Sequence, residues 1–282
     1  MTEPTHEVGS SLVTIIRPHR GWAPIGLREL WAWRELTFFL VQRDLKVRYK
    51  QTAFGIAWAL IQPLAMVLLF TLFLGRVSGI RPVDVPYPLF ALAGLIPWTL
   101  FAQSIGASAN SLIENSNLLT KVYFPRLLLP LAAAASHVVD FLIGLVLLAV
   151  ASVVFGHVPG PTWLLLVPIS LLGFLAAVGA GLWLAAINVQ FRDVRYAVPF
   201  LVQVWFFATP IAYSSATLPD QIRPLFWLNP MTGVVEAFRA AVTSQPVDLA
   251  SALAASVAVT LTLLVTGATY FRRVEGAFAD VV

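Results

Sequence analysis

Charged residues are missing from long parts of this chain and crowded into the parts between. No Asp, Glu, Lys or Arg occurs in 51–75, 85–113, 141–191, 196–219 or 249–271. A bilayer span needs roughly 20 mainly apolar residues, so each stretch can cross a membrane and 141–191 can cross twice. His157-Val158-Pro159-Gly160-Pro161 supplies the turn inside that double segment. The pattern predicts an all-α integral membrane protein: a transmembrane domain over 51–282, with six spans near 54–75, 88–108, 128–155, 163–188, 197–214 and 249–271. Pro63, Pro97, Pro168 and Pro210 fall inside these spans and are expected to kink them.

The pattern changes before the first span. Residues 1–26 are polar, carry Pro4, Gly9, Pro18, Gly21 and Pro24, and read as a flexible tail. Wound as a helix, 27–50 places Arg28, Glu35, Gln42, Arg43, Lys46 and Lys50 on one arc. Leu30, Trp33, Leu36, Leu40, Val41 and Leu45 take the other, the signature of a helix lying in the membrane interface. Glu29, Arg34, Asp44 and Arg48 intrude on the apolar arc. Between the last two spans, 214–248 is too apolar for a plain loop. It reads as two short helices broken at Asn229-Pro230 and dipping into the outer leaflet, either an external gate or an interfacial cap.

Composition agrees with lipid as the solvent. Only 11% of residues are charged, against about 25% in soluble domains. The distribution of the 18 Lys and Arg fixes orientation. With six spans, fourteen lie on the side of the termini and four, Arg76, Arg81, Arg223 and Arg239, on the other, so both termini are expected in the cytoplasm. The basic residues need no nucleic-acid partner. The first apolar run begins after some fifty charge-rich residues, unlike a cleaved signal peptide. There is no cysteine, so thiol chemistry and disulfides are excluded.

The chemistry of energy supply is missing. A P-loop ends in Gly-Lys, whereas Lys46, Lys50 and Lys121 follow Leu45, Tyr49 and Thr120. Any ATPase must therefore be another polypeptide. The four histidines show no metal-ligand spacing, and no nucleophile elbow is present. Within the spans the one strong ionisable candidate is Asp140, with His137 a helical turn before it. It stands about twelve residues into the third span, roughly 18 Å deep. The two could relay a proton for an ion-coupled carrier or form a structural contact between helices. The loop Ser111–Arg126 is short and mixed; a two-turn helix over Asn117–Tyr123 would suit a groove on a soluble partner, and a plain connector is the alternative.

Seven blocks in order then carry a resemblance. They are Val41–Thr52 running into Gly55, Trp58 and Gln62-Pro63-Leu64; Gly94–Trp98; Asn117–Arg126; Val139-Asp140-Phe141; Phe191–Tyr196; Phe207–Ile211; and Leu228–Met231. Over about 27–272 the chain resembles the membrane subunits of type-2 ABC exporters that move O-antigen and teichoic-acid-like polymers. The resemblance implies two copies of this chain with two copies of a separate P-loop ATPase, which binds ATP and Mg. Together they would move a lipid-linked glycan outward across the cytoplasmic membrane. No cofactor or metal is expected on this chain, only membrane lipids, and a type-2 exporter of a drug or lipid is the alternative.

It also assigns roles. Arg43, Lys46, Arg48, Tyr49 and Lys50 belong to the interface helix. Asn117, Leu118, Leu119, Thr120, Lys121, Val122 and Tyr123 form the coupling helix against the ATPase, with Arg192, Asp193 and Arg195 as a second contact. Leu225, Trp227, Asn229, Pro230 and Phe238 fall in the external gate. A glycan path needs flat apolar platforms and hydrogen-bonding groups. Trp58, Trp98, Phe101, Trp205 and Phe206 are candidates for the first, and Gln62, Gln103 and Gln203 for the second. The aromatics also suit a membrane-interface belt.

Overall fold

The computed structural model describes residues 27–50, 55, 57–77, 85–191, 193–243 and 250–278. The predicted tail 1–26 lies outside them, as does Arg192. Among the described residues all regular structure is helical. The expected interface helix is two pieces, α1 (Leu27–Ala32) and α2 (Arg34–Lys50). The first span is α3 (Ala57–Phe70), running on as a π-helical turn over Thr71–Val77. The second is α4 (Tyr87–Glu114), followed by the short α5 (Ser116–Lys121). The third is α6 (Leu128–Ser136) and α7 (Val138–Val154), joined through His137. A 3-10 turn, Pro161–Leu165, leads into α8 (Leu166–Gln190). There follow α9 (Val194–Phe207), α10 (Arg223–Trp227), α11 (Pro230–Thr243) and α12 (Ala250–Val274).

Among the described residues five helical stretches are long and apolar enough to cross a membrane: Ala57–Gly75, Tyr87–Glu114, Leu128–Val154, Pro161–Gln190 and Ala250–Val274. The expected fifth span, 197–214, is shorter, because α9 closes at Phe207. Pro210 explains the difference. It has no N–H to donate and disfavours helical geometry at the residue before it, and here the helix ends, whereas Pro199 is carried inside α9. Pro168 sits in the first turn of α8, where proline is tolerated, and Pro63 and Pro97 lie inside α3 and α4.

One helix organises the rest. The most apolar stretch of α4 is 78% buried, that of α3 only 6%. The polar side chains of α4, among them Gln103, Asn110 and Glu114, keep it from facing lipid, and it is enclosed by α3, α6, α7, α8, α9 and α11. Lipid tails are as apolar as leucine, so helices in a membrane gain by close van der Waals approach, which small residues permit. A Cβ on Gly181 would stand 2.6 Å from Ser108 Cβ, and one on Gly179 would stand 2.7 Å from Leu264 N. These glycines seat α8 against α4 and α12. Gly179→Val is expected to part α8 from α12 at a cost of about 1–3 kcal/mol, seen as a lower thermal midpoint of the detergent-solubilised protein. An unchanged midpoint would mean that the two backbones do not meet there.

Candidate functional site

The charges that intruded on the amphipathic pattern of 27–50 all find partners. Glu29 reaches Arg272 at 3.5 Å and Asp44 takes Arg43 at 2.8 Å. Arg34 donates to Trp31 O and lies over that ring. Arg48 Nη1 meets Asp140 Oδ2 at 2.6 Å, at the start of α7. So the apolar arc turns mostly to protein: Leu40 is buried and Leu30, Leu36, Val41 and Leu45 are half-buried, while Trp33 is exposed, as are Trp31, Phe38 and Phe39 off the arc. Lys46 and Lys50 are exposed, Arg43 and Tyr49 half-buried.

Around Arg48 the polar groups close into one network. Tyr49 donates its hydroxyl to Asp140 Oδ1. Burial pushes the Tyr49 hydroxyl up to about 12, and the neighbouring carboxylate adds to the rise, so it remains a donor. Arg48 Nη2 contacts both Ser136 Oγ and His137 Nε2 at 3.0 Å. A guanidinium only donates, so Nε2 is the acceptor and Nδ1 carries the proton, facing Gln103 Oε1 at 3.0 Å. His137 is also where the third span changes from α6 to α7. Thus Asp140, read from its position as a lone deep carboxylate, is ion-paired to the end of α2, and the network joins α2, α4 and α7.

Beside this network lies a cavity of about 530 Å³, lined by Arg48, Tyr49, Trp58, Gln62, Gln103, His137 and Asp140 among others. Cavities of about 380 and 150 Å³ adjoin it, all three sharing Glu114. Three of the residues proposed for the glycan path, Trp58, Gln62 and Gln103, therefore come together here. The others do not. Trp98 and Phe101 are 5% and 0% exposed, and they pack with Trp205 and Phe206 at centroid distances of 4.9–5.6 Å, wedging α9 against α4. This cluster is protein core, and Gln203 lies on the exposed face of α9.

At the loop after α4, the expected helix over Asn117–Tyr123 is shorter and shifted, Ser116–Lys121, because Val122 is extended. Leu119 turns inward and is buried, Leu118 is half-buried, and Asn117, Lys121, Val122 and Tyr123 are exposed. Arg126 anchors the far end of the loop, donating its backbone N–H to Glu275 Oε1 at 3.1 Å and its guanidinium to Glu275 O. Burial raises the Glu275 carboxyl above its ordinary value, with Arg272 opposing the rise. Asp193 and Arg195 are exposed at the start of α9, and Arg195 borders the smallest cavity beside Glu114.

On the opposite side the break at Asn229-Pro230 is present, between α10 and α11. Asn229 caps α11, accepting Met231 N–H at 3.0 Å and Trp205 Nε1–H at 2.8 Å on the same oxygen. The residues assigned to the gate divide: Leu225 is 67% exposed and Trp227 half-buried, whereas Pro230 and Phe238 belong to the core. Arg239 is 6% exposed. Its guanidinium centre lies 3.7 Å from the centroid of the Phe90 ring, and it donates to the carbonyls of Phe90, Ile211 and Tyr213.

Residues 35–243 match the ABC-2 type transporter family. The chain belongs to that family. Among curated relatives, this ABC-2 transporter is 35% identical to the O-antigen export system permease protein RfbA of Myxococcus xanthus, over 90% of this chain and 98% of that one. It is 29% identical to the RfbA permease of Klebsiella pneumoniae, over 73% and 79%. Against the polysialic acid transport protein KpsM of Escherichia coli it is 25% identical, over 84% and 93%.

Reading the residues alone misses several parts of this ABC-2 transporter that the structure brings together. Arg239 counts there only as an external charge, and nothing in its neighbourhood announces three carbonyl partners. Thr99, Asn110 and Glu114 were in reach, since with Gln103 they recur at spacings of four, seven and four residues and so share one helix face. Among the described residues no three His, Asp or Glu side chains gather as a metal site.

Proposed function

We propose that this chain is the permease subunit of an ATP-driven exporter that moves a lipid-linked polysaccharide outward across the cytoplasmic membrane. The observation that carries the reading is the likeness to an O-antigen export permease along 98% of that protein's length. Two copies of the chain work with two copies of a separate ATPase, and both termini face the cytoplasm. The exposed strip Lys121-Val122-Tyr123 offers a soluble partner an aromatic side chain, a residue type enriched where proteins dock, with a cation beside it to steer the approach. Closure of the ATPases on ATP pushes that strip. Arg126 and Glu275 pass the push to the end of α12, and α2, packed on α6, passes it to the Arg48–Asp140 pair. The spans then re-pack and admit the glycan.

Affinity purification from native membranes, with mass spectrometry of what stays bound, tests the architecture. The expected result is a stoichiometric P-loop ATPase; a well-folded chain recovered without one would overturn the reading. Tyr123→Glu, which puts a charge into the docking strip, is expected to lower export about tenfold or more while the permease remains folded. Normal export at normal expression would remove the strip from the coupling path.

A further inference from the structure

The three adjoining cavities form a groove along one face of α4, and its lining has an unusual electrical property. Among the described residues it holds three arginines, Arg43, Arg48 and Arg195, facing three carboxylates, Asp44, Glu114 and Asp140. Arg43 and Arg48 are in ion pairs, at 2.8 and 2.6 Å. A phosphate or diphosphate is bound by cations or N–H groups left to meet it; among the described residues the one arginine lining the largest cavity, Arg48, is held by Asp140, and Arg195 borders only the smallest. What the wall does provide is amides. Gln62 and Gln103 each carry both a donor and an acceptor, the pattern that matches neighbouring hydroxyls, and Asn110, which gives one N–H to Gly106 O and accepts Asn188 Nδ2, keeps a second N–H. His137 holds Oε1 of Gln103, which fixes the edge of that amide.

The remaining wall is apolar: Ile96, Leu100 and Phe141, with Trp58, half-exposed, at the rim. An aromatic face accepts the C–H surface of a sugar ring without fixing its rotation. The largest cavity, about 530 Å³, lies within the roughly 300–1,000 Å³ typical of ligand pockets. We propose that this groove is a subsite for uncharged sugar units of the exported glycan, with Trp58 as platform and Gln62, Gln103 and Asn110 as hydroxyl partners, and that it does not take the carrier's phosphate. The inference rests on the polysaccharide-export reading and adds where on this chain the sugars bind and by what chemistry.

The chain has no cysteine, so a single introduced thiol reports cleanly. Gln62→Cys and Gln103→Cys are made separately in the full transporter in membrane vesicles, with Val150→Cys, exposed on α7, as the control. Methanethiosulfonate labelling is timed with the cells' own glycan, freed from lipid and phosphate by mild acid, and separately with inorganic pyrophosphate. Freed glycan at ten times its dissociation constant is expected to slow labelling of both groove thiols by about tenfold and leave Val150→Cys unchanged. Pyrophosphate is expected to do nothing. Protection by pyrophosphate without protection by freed glycan would make this a phosphate site and overturn the proposal. So would no protection at all in a chain whose deletion abolishes surface glycan, and there the export reading would stand. Deletion that leaves surface glycan intact would sink both.

Discussion

Arg239→Met is expected to lower stability by about 3–5 kcal/mol, because it leaves buried carbonyls of Phe90, Ile211 and Tyr213 without their donor. The demand for such a donor originates at Pro210. By ending α9 early it leaves the backbone over 208–213 outside any helix, yet Ile211 is fully buried. Irregular backbone at membrane depth survives only where protein satisfies its polar groups. The fork of Arg239 does this for two carbonyls of that stretch and one of α4, and the Phe90 ring stabilises the charge from its face. Gly94 makes room: a Cβ there would stand 2.6 Å from Arg239 Nη2 and 3.0 Å from Ile211 O. A thermal midpoint lower by roughly 10 °C in detergent is therefore expected for Arg239→Met, and a drop for Gly94→Ala too. Arg239→Lys should fall between, since the three N–H of an ammonium leave one nitrogen, whereas these carbonyls are met by three. A midpoint equal to that of the native protein for Arg239→Met would show that the carbonyls find other donors.

Removing either member of the Arg48–Asp140 pair is expected to cost about 1–3 kcal/mol and to reduce export at least tenfold. The stability figure is set below that of a fully buried pair because the side chains are 31% and 15% exposed. Export suffers more than stability because the pair ties α2 to α7 and, through His137 and Gln103, to α4. The discriminating experiment is a double-mutant cycle with Arg48→Leu and Asp140→Leu. The double variant should regain stability, since no charge is then left without its partner, while export stays low. Additive losses in stability would mean that the two residues do not act as a pair.

The spans could be read from the residues because lipid imposes one requirement along their whole length, an unbroken apolar run. The same holds for the Asn229-Pro230 break, which is local chemistry. Pairings over long separations could not. Arg48 looked like an error in an amphipathic pattern, and its partner stands 92 residues further on. Trp58 and Trp98 looked alike, yet one rims a cavity and the other is sealed in the core, and only the surrounding helices decide that. The end of α9 was readable in principle. Its uncharged run continues to 219, but Pro210 outweighs hydropathy, since no apolar side chain replaces a missing N–H.

The burial of α4 sets the order in which the protein can be made. This helix is complete on the ribosome at Glu114, yet α8, α11 and α12, which supply or seal much of its cover, follow it, and α12 begins only at Ala250. At roughly 5–20 residues per second the interval is on the order of ten seconds, during which the faces of α8 and α11 that α12 covers are still open. A nascent chain cut short before α12 thus leaves the Trp183 N–H without Thr266 and the close face of Gly179 without Leu264. The arrival of α12 is therefore the step that closes α8 and α11, and both wait, half-covered, for that one event.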